Sequence, residues 1–359
     1  MLTHNIYHQL KPLIPRSLQI ILRRMVVLWK RKSCAHVWPI DEGAARIPEG
    51  WTGWPDGKRF ALVLTHDVET MEGQERCAQL AALEESFGFR SSFNFVAEEY
   101  NVSALLRDYL YERGFEIGVH GLYHDKNPFR SKKIFQKQKV KINQYLKEWG
   151  SVGYRSPCMY HNLDWIGDLD IEYDSSTFDT DPFEPQPDGV GTIFPFWVTA
   201  TRNPGIAGGL RSEAKTAALQ HRNTVAPNNP INPSPSSNST NSSNSSNPEP
   251  VIGLHSGYVE LPYTLPQDHS LFVIMKEKNI DIWKKKLDWI VKNGGMALLI
   301  THPDYMNFDG KKLSIEEYPG EYYEEFLGYI KSTYNSQLWN ALPKEMARFL
   351  ANNYVNKKR

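Results

Sequence analysis

The chain has 359 residues, of which 40% are hydrophobic and 23% charged, the balance of a folded globular protein rather than a disordered one. Lys+Arg and Asp+Glu both number 41, so the formal net charge is zero and the broad basic excess expected of a nucleic-acid-binding protein is missing. The length accommodates a single barrel of roughly 250 residues with extensions. Aromatic residues make up 12%; their faces can stack on sugar rings, but they also fill cores. Cys34, Cys77 and Cys158 are too widely spaced for a metal motif or a disulfide framework and suit a reducing compartment.

The first forty residues form a segment of their own. Lys11, Arg16, Arg23, Arg24, Lys30, Arg31 and Lys32 occur with no Asp or Glu before Asp41. The apolar run from Leu18 to Trp29 is interrupted by Arg23 and Arg24, which makes it too short to span a bilayer. No small-residue cleavage site follows it, as a secretory signal requires. Two placements fit. A basic amphipathic helix can lie on an anionic membrane face, giving peripheral contact through residues 1–33. It can instead pack on the folded domain with its basic side in water.

From about residue 60 onward, strand patterns alternate with helix patterns. Strands are predicted at Phe60–Thr65, Ser91–Val96, Glu116–His120, Val152–Arg155, Glu172–Ser176 and Met296–Thr301. Helices are predicted at Gln74–Phe87, Ser103–Arg113, Ser131–Trp149, Ile280–Lys292, Glu316–Thr333 and Pro343–Asn353. The alternation argues for parallel βα units in one domain over residues 41–355. Residues 203–250 drift into Asn, Ser and Pro and cannot bury enough surface to offset the entropy of ordering. They read as a disordered insertion within that domain. The sequons at Asn238, Asn241 and Asn244 follow from this composition in a chain without a secretory signal.

Four polar clusters follow predicted strands, where barrel enzymes place their chemistry. Thr65-His66-Asp67-Val68-Glu69 offers two carboxylates, one able to bind a metal and one to act as a base; the bland reading is a helix cap. His120 and His124 sit at the spacing that puts two imidazoles on one side of a helical turn, where they can grip one ion, although two structural histidines would look the same. Arg155 can hold a carboxylate with a bidentate contact. His302, after Leu298–Thr301, can serve as a general acid to a leaving amine.

The order of these clusters resembles the polysaccharide deacetylase family, also called NodB-homology or carbohydrate esterase family four proteins. That family carries Thr-Phe-Asp-Asp-Gly, His-x-x-x-His, Arg-x-Pro and Leu-x-x-His motifs in sequence. This chain presents Thr65–Glu69, His120/His124, Arg155/Pro157 and Leu299/His302, over about residues 58 to 305 apart from the insertion. The resemblance implies a distorted (β/α) barrel and removal of acetyl groups from amino sugars of a cell-surface polysaccharide. It also implies a divalent metal, zinc first, with cobalt, nickel or manganese as substitutes. One position departs from the pattern: the usual second aspartate falls on Val68, which cannot bind a metal. An Asp-x-Glu register leaves Asp67 as base and gives Glu69, His120 and His124 to the metal; the alternative makes Asp67 the ligand. Arg155 would orient Asp67, and a backbone N–H near Tyr160 would stabilise an oxyanion. Tyr160, His161, Trp165 and Asp268 are expected to line the sugar site. Two other readings stay open: a related hydrolase of O-acetyl esters or cyclic amides, and an inactive carbohydrate-binding barrel. The expected partners are an amino-sugar saccharide and no nucleic acid. The expected location is the cytoplasm, peripheral on the inner face of the plasma membrane.

Overall fold

A computed structural model of the chain describes residues 15–199, 257–310 and 312–357. The predicted insertion at 203–250, its sequons and residues 1–14 lie outside the described residues. Strand β1 (Phe60–Val68) is the axis of the sheet. All nine of its residues are buried, as a parallel strand covered on both faces requires. β2 (Ser91–Phe95), β3 (Glu116–Val119), β4 (Gly153–Tyr154) and β5 (Tyr173–Asp174) follow beside it in order, all parallel. β6 (Phe196–Thr199) and β7 (Gly257–Glu260) pair antiparallel to each other at the far end, with β7 parallel to β5. β8 (Met296–Thr301) runs parallel along the other side of β1.

The two ends of this curled sheet meet through residues 261–265. Leu261 and Tyr263 donate backbone N–H groups to Asp174 and Thr177, while Thr264 and Leu265 donate to Leu298 of β8. The result is the distorted (β/α) barrel expected from the alternation. β9 (Met306–Asn307) and β10 (Tyr318–Pro319) form a separate short ladder, and β11 (Leu338–Asn340) pairs with the start of β1.

The described helices longer than two turns are α1 (Arg16–Ser33), α2 (Met71–Phe87), α3 (Ala104–Glu112), α4 (Lys132–Glu148), α5 (Asp281–Asn293), α6 (Glu321–Tyr334) and α7 (Pro343–Lys357). Their starts follow local chemistry. Thr70, Ser103 and Ser131 accept the N–H of the third residue on at the heads of α2, α3 and α4. The structure departs from the sequence reading in several places. β6, β7 and β11 were not anticipated, because three- or four-residue strands carry no alternation long enough to read. Residues 120–124 form a loop rather than a helical turn.

The N-terminal helix also departs from expectation. Ile20 and Val27 are buried against the barrel, and Arg24 donates to the carbonyls of Ile274 and Val273 at 2.9 and 3.1 Å. Lys30 donates to the carbonyl of Pro182, and Arg31 pairs with Glu277. The helix packs on the domain, but these basic side chains face the protein rather than water.

Candidate metal centre

The parallel ladder brings the motif residues to one end of the barrel, since parallel strands present their C-terminal ends together. Asp67 and Glu69 are two residues apart, so both project to the same side of β1's end while Val68 turns into the hydrophobic core, where it is fully buried. His120 follows β3, Arg155 follows β4 and His302 follows β8. One ligand atom from each of Glu69, His120 and His124 lies within 4.8 Å of the other two.

The proton positions fit a metal. His120 Nδ1 is 3.1 Å from the carbonyl oxygen of Arg155, an acceptor that fixes the ring proton there. His120 Nε2 is then left with a lone pair, buried and without a hydrogen-bond partner. An imidazole anchored through one nitrogen with the other aimed into a carboxylate-lined site is the arrangement of a metal ligand. His124 Nε2 is 2.9 Å from Glu69 Oε1, and the other oxygen of Glu69 accepts from the Tyr305 hydroxyl at 2.8 Å. Burial would raise the pKa of Glu69, but the three surrounding histidines, His124 foremost, hold it well below the ordinary value. Cys158 Sγ lies 3.9 Å from His124 Nε2.

The His120–His124 loop owes its shape to a close approach. Gly121 has φ of 72°, and a Cβ there would come within 2.6 Å of Pro157. The proline of the Arg-x-Pro segment therefore sits directly on the glycine between the two histidines.

Asp67 is held differently from Glu69. Its Oδ1 accepts from Asn94 Nδ2 at 2.9 Å and from Arg155 at 3.1 Å. Asn94 is its direct partner in the β1–β2 ladder, so the register itself creates that bond. Gly118, the partner of Asn94 on β3, leaves room for the amide: a Cβ there would fall 2.0 Å from Asn94 Oδ1. Arg155 is fully buried and also donates to Thr65 and Ser175. Burial opposes ionisation of Asp67, yet the Arg155 guanidinium and the nearby histidines outweigh it and keep the pKa below the ordinary value. Asp67 Oδ2 remains 3.8 Å from His120 Nε2.

His302 completes the group. Its Nδ1 is 2.7 Å from Asp268 Oδ1, and its Nε2 is 3.7 Å from Glu69 Oε1. Burial disfavours a charged ring, but the Asp268 carboxylate more than compensates and pushes the His302 pKa up to about 10.

No family model matches the chain, and no curated protein matches it in sequence. Solved structures do. A candidate polysaccharide deacetylase from Mycobacterium smegmatis is similar over 86% of this chain and 96% of that one, with a TM-score of 0.52 and 16% identity. The Puue allantoinase is similar over 82% of this chain and 91% of its own, with a TM-score of 0.50 and 14% identity. The chain has the polysaccharide deacetylase fold.

Within this deacetylase-type barrel, the six motif residues Asp67, Glu69, His120, His124, Arg155 and His302 stand together. The four positions expected to line a sugar site are more scattered. Asp268 is fully buried, and its oxygens accept from the His302 backbone at 2.8 Å, the His302 ring, the His269 backbone and the Tyr318 hydroxyl. Those bonds make it the partner of His302 and leave it no face for a sugar. Trp165 lies in an aromatic cluster with Phe129 and Phe135. His161 Nδ1 is 3.0 Å from the Met159 carbonyl, with Gln186 near its other nitrogen. Tyr160 is half-buried, and its own backbone N–H donates to the Pro157 carbonyl at 3.3 Å. Sequence reading missed Asn94, Tyr305, Asp304 and Tyr318. Asn94 left a trace, a lone amide in an otherwise apolar stretch of a buried strand. Asp304, two residues after His302, accepts the backbone N–H of Glu69 and the Thr70 hydroxyl.

Proposed function

We propose that this chain is a metal-dependent hydrolase that removes N-acetyl groups from amino sugars of a polysaccharide or a lipid-linked saccharide precursor. The observation that carries this reading is the convergence of three strand ends on one group: Glu69, His120 and His124 at ligand spacing, with Asp67 and His302 on either side. A divalent cation held by Glu69, His120 and His124, zinc first among the choices, would supply Lewis acidity toward the acyl oxygen and a lowered water pKa. Asp67 acts as the base. Its Oδ1 is occupied by Asn94 and Arg155, so Oδ2 takes the proton from the attacking water. Arg155 keeps that carboxylate ionised and fixed in rotation. His302 delivers a proton from Nε2 to the departing amine, while Asp268 on Nδ1 holds the ring's orientation and stabilises its charge. The products are acetate and a free amino sugar. The proposal keeps the cytoplasmic setting expected from the sequence.

Hydrolysis of a cyclic amide is the second reading, supported by the likeness to the allantoinase fold. It would use the same residues. Acetate release from a panel of N-acetylated and O-acetylated amino sugars separates the readings, using metal-stripped protein with zinc, cobalt, nickel or manganese added back. Metal-dependent acetate from N-acetyl substrates, lost in His120→Ala, is the expected result. Acetate from O-acetyl substrates alone identifies an esterase, and no acetate from a protein that binds metal stoichiometrically overturns both deacetylation readings.

A further inference from the structure

Helix α1 is amphipathic in the reverse of the usual sense. Ile20, Arg24, Val27 and Arg31, spaced at helical intervals, make the side that meets the barrel. The opposite side carries Leu18, Leu22, Met25, Val26 and Trp29, all exposed, with Trp29 at 79%. At 1.5 Å per residue the stripe from Leu18 to Trp29 runs about 17 Å along the helix. Apolar side chains scattered singly on a surface need no explanation, but a contiguous row of this length marks an interaction site.

The charges around the stripe select its partner. Lys32 is exposed one turn beyond Trp29, whereas Arg23, three residues from Ile20 and four from Val27, flanks the barrel side, where its charge reaches Asp181 and Glu184. No Asp or Glu precedes Asp41, so nothing in this segment repels an anionic surface. A row of aliphatic side chains with an exposed tryptophan, followed by the exposed Lys32, matches the boundary of an anionic bilayer: acyl chains accept the row, the interface accepts the indole, and headgroups accept the cation. None of the described helices is long and apolar enough to cross a membrane, so contact lies in the plane of the surface.

We propose that α1 docks the protein on an anionic lipid bilayer through its Leu18–Leu22–Met25–Val26–Trp29 face. This gives the sequence-based expectation of membrane contact a specific surface, with the basic residues Arg24 and Arg31 spent on the barrel rather than on headgroups. The docking helix is tied to the site: Arg24 holds the last turn of His269–Ile274, the segment that begins immediately after Asp268, the partner of His302. The proposal stands independently of which acyl group the site hydrolyses.

The test is co-sedimentation of the full chain with vesicles of phosphatidylglycerol mixed with phosphatidylcholine, and with vesicles of phosphatidylcholine alone. The expected result is binding to the anionic vesicles that falls about tenfold or more in the double variant Met25→Glu/Trp29→Glu. Both side chains are solvent-exposed, so the variant should unfold at the wild-type temperature. Leu105→Glu, at a site 83% exposed on α3, should bind as wild type. Failure of the wild-type chain to bind, equal binding to both vesicle types, or undiminished binding of the double variant overturns the proposal. So does a wild-type dimer in solution that the double variant turns into a monomer without any vesicle binding, since a second copy would then own the face.

Discussion

Asp67 and Glu69 are chemically near-identical, yet their neighbours give them different tasks. Arg155 and Asn94 both bind one oxygen of Asp67, leaving the other to move a proton. Glu69 has a histidine on one oxygen and a tyrosine hydroxyl on the other, the environment of a ligand steered by its surroundings. Asp67→Asn should therefore lower kcat about a thousandfold while metal content, measured by atomic absorption, stays at the wild-type level. Tyr305→Phe should do the reverse, weakening zinc binding by about 10- to 100-fold in a competition titration with little loss of kcat at saturating metal. Asp268→Asn removes the charge behind His302. It should lower kcat about a hundredfold with metal content unchanged, and a variant as fast as wild type would show that His302 carries its proton without that support.

At the scale of elements, the loop between His120 and His124 depends on its contact with the Arg-x-Pro segment. Gly121 occupies the left-handed region at φ of 72°, and Pro157 leaves no room for a side chain. Gly121→Ala should separate the two imidazoles, costing at least about tenfold in zinc affinity by calorimetric titration while the far-ultraviolet circular dichroism stays wild-type. The four-residue spacing of these histidines reads equally well as a helical turn or as this loop. The glycine and the distant proline together make it a loop, and the proline's proximity is invisible locally. β1 and β8 were legible because strands buried on both faces are continuous apolar runs ending in polar residues. β6, β7 and β11 exist only through their pairing.

At the scale of the whole molecule, the barrel carries a cost in buried carboxylates away from the metal centre. Glu116 opens β3 and accepts from the Tyr173 hydroxyl and the Lys344 backbone. Burial dominates these bonds and pushes its pKa up to about 7 from 4.5. A carboxyl raised in the folded state binds its proton more tightly there than when unfolded, so its effect is nil below about pH 4.5, becomes destabilising as pH rises from about 4.5 to about 7, and levels off above that. Urea unfolding should show lower stability at about pH 8 than at about pH 5, with Glu116 contributing up to about 3 kcal/mol. In Glu116→Gln that slope should flatten, and an unchanged slope would assign it to other buried acids such as Asp181 and Glu184, raised to about 6 and about 7 by burial.

The sequence by itself determined the alternation of strands and helices, the positions of the chemistry-bearing residues at strand ends, and the amphipathic N-terminal helix. Each is a local signal, written in runs and periods of side-chain polarity. Only the tertiary structure decided which residues meet. Asp67 faces Asn94 because the β1–β2 register aligns them. Asp268 lies behind His302, 34 residues further along the chain, because residues 261–265 cross from the end of β7 to hydrogen-bond with Leu298 of β8 and close the barrel. Arg24 and Arg31 of α1 turn inward because the barrel offers them the carbonyls of Val273 and Ile274 and the carboxylate of Glu277. Polarity patterns say that a side chain seeks a partner, whereas the partner's identity is set by contacts between segments far apart in the chain.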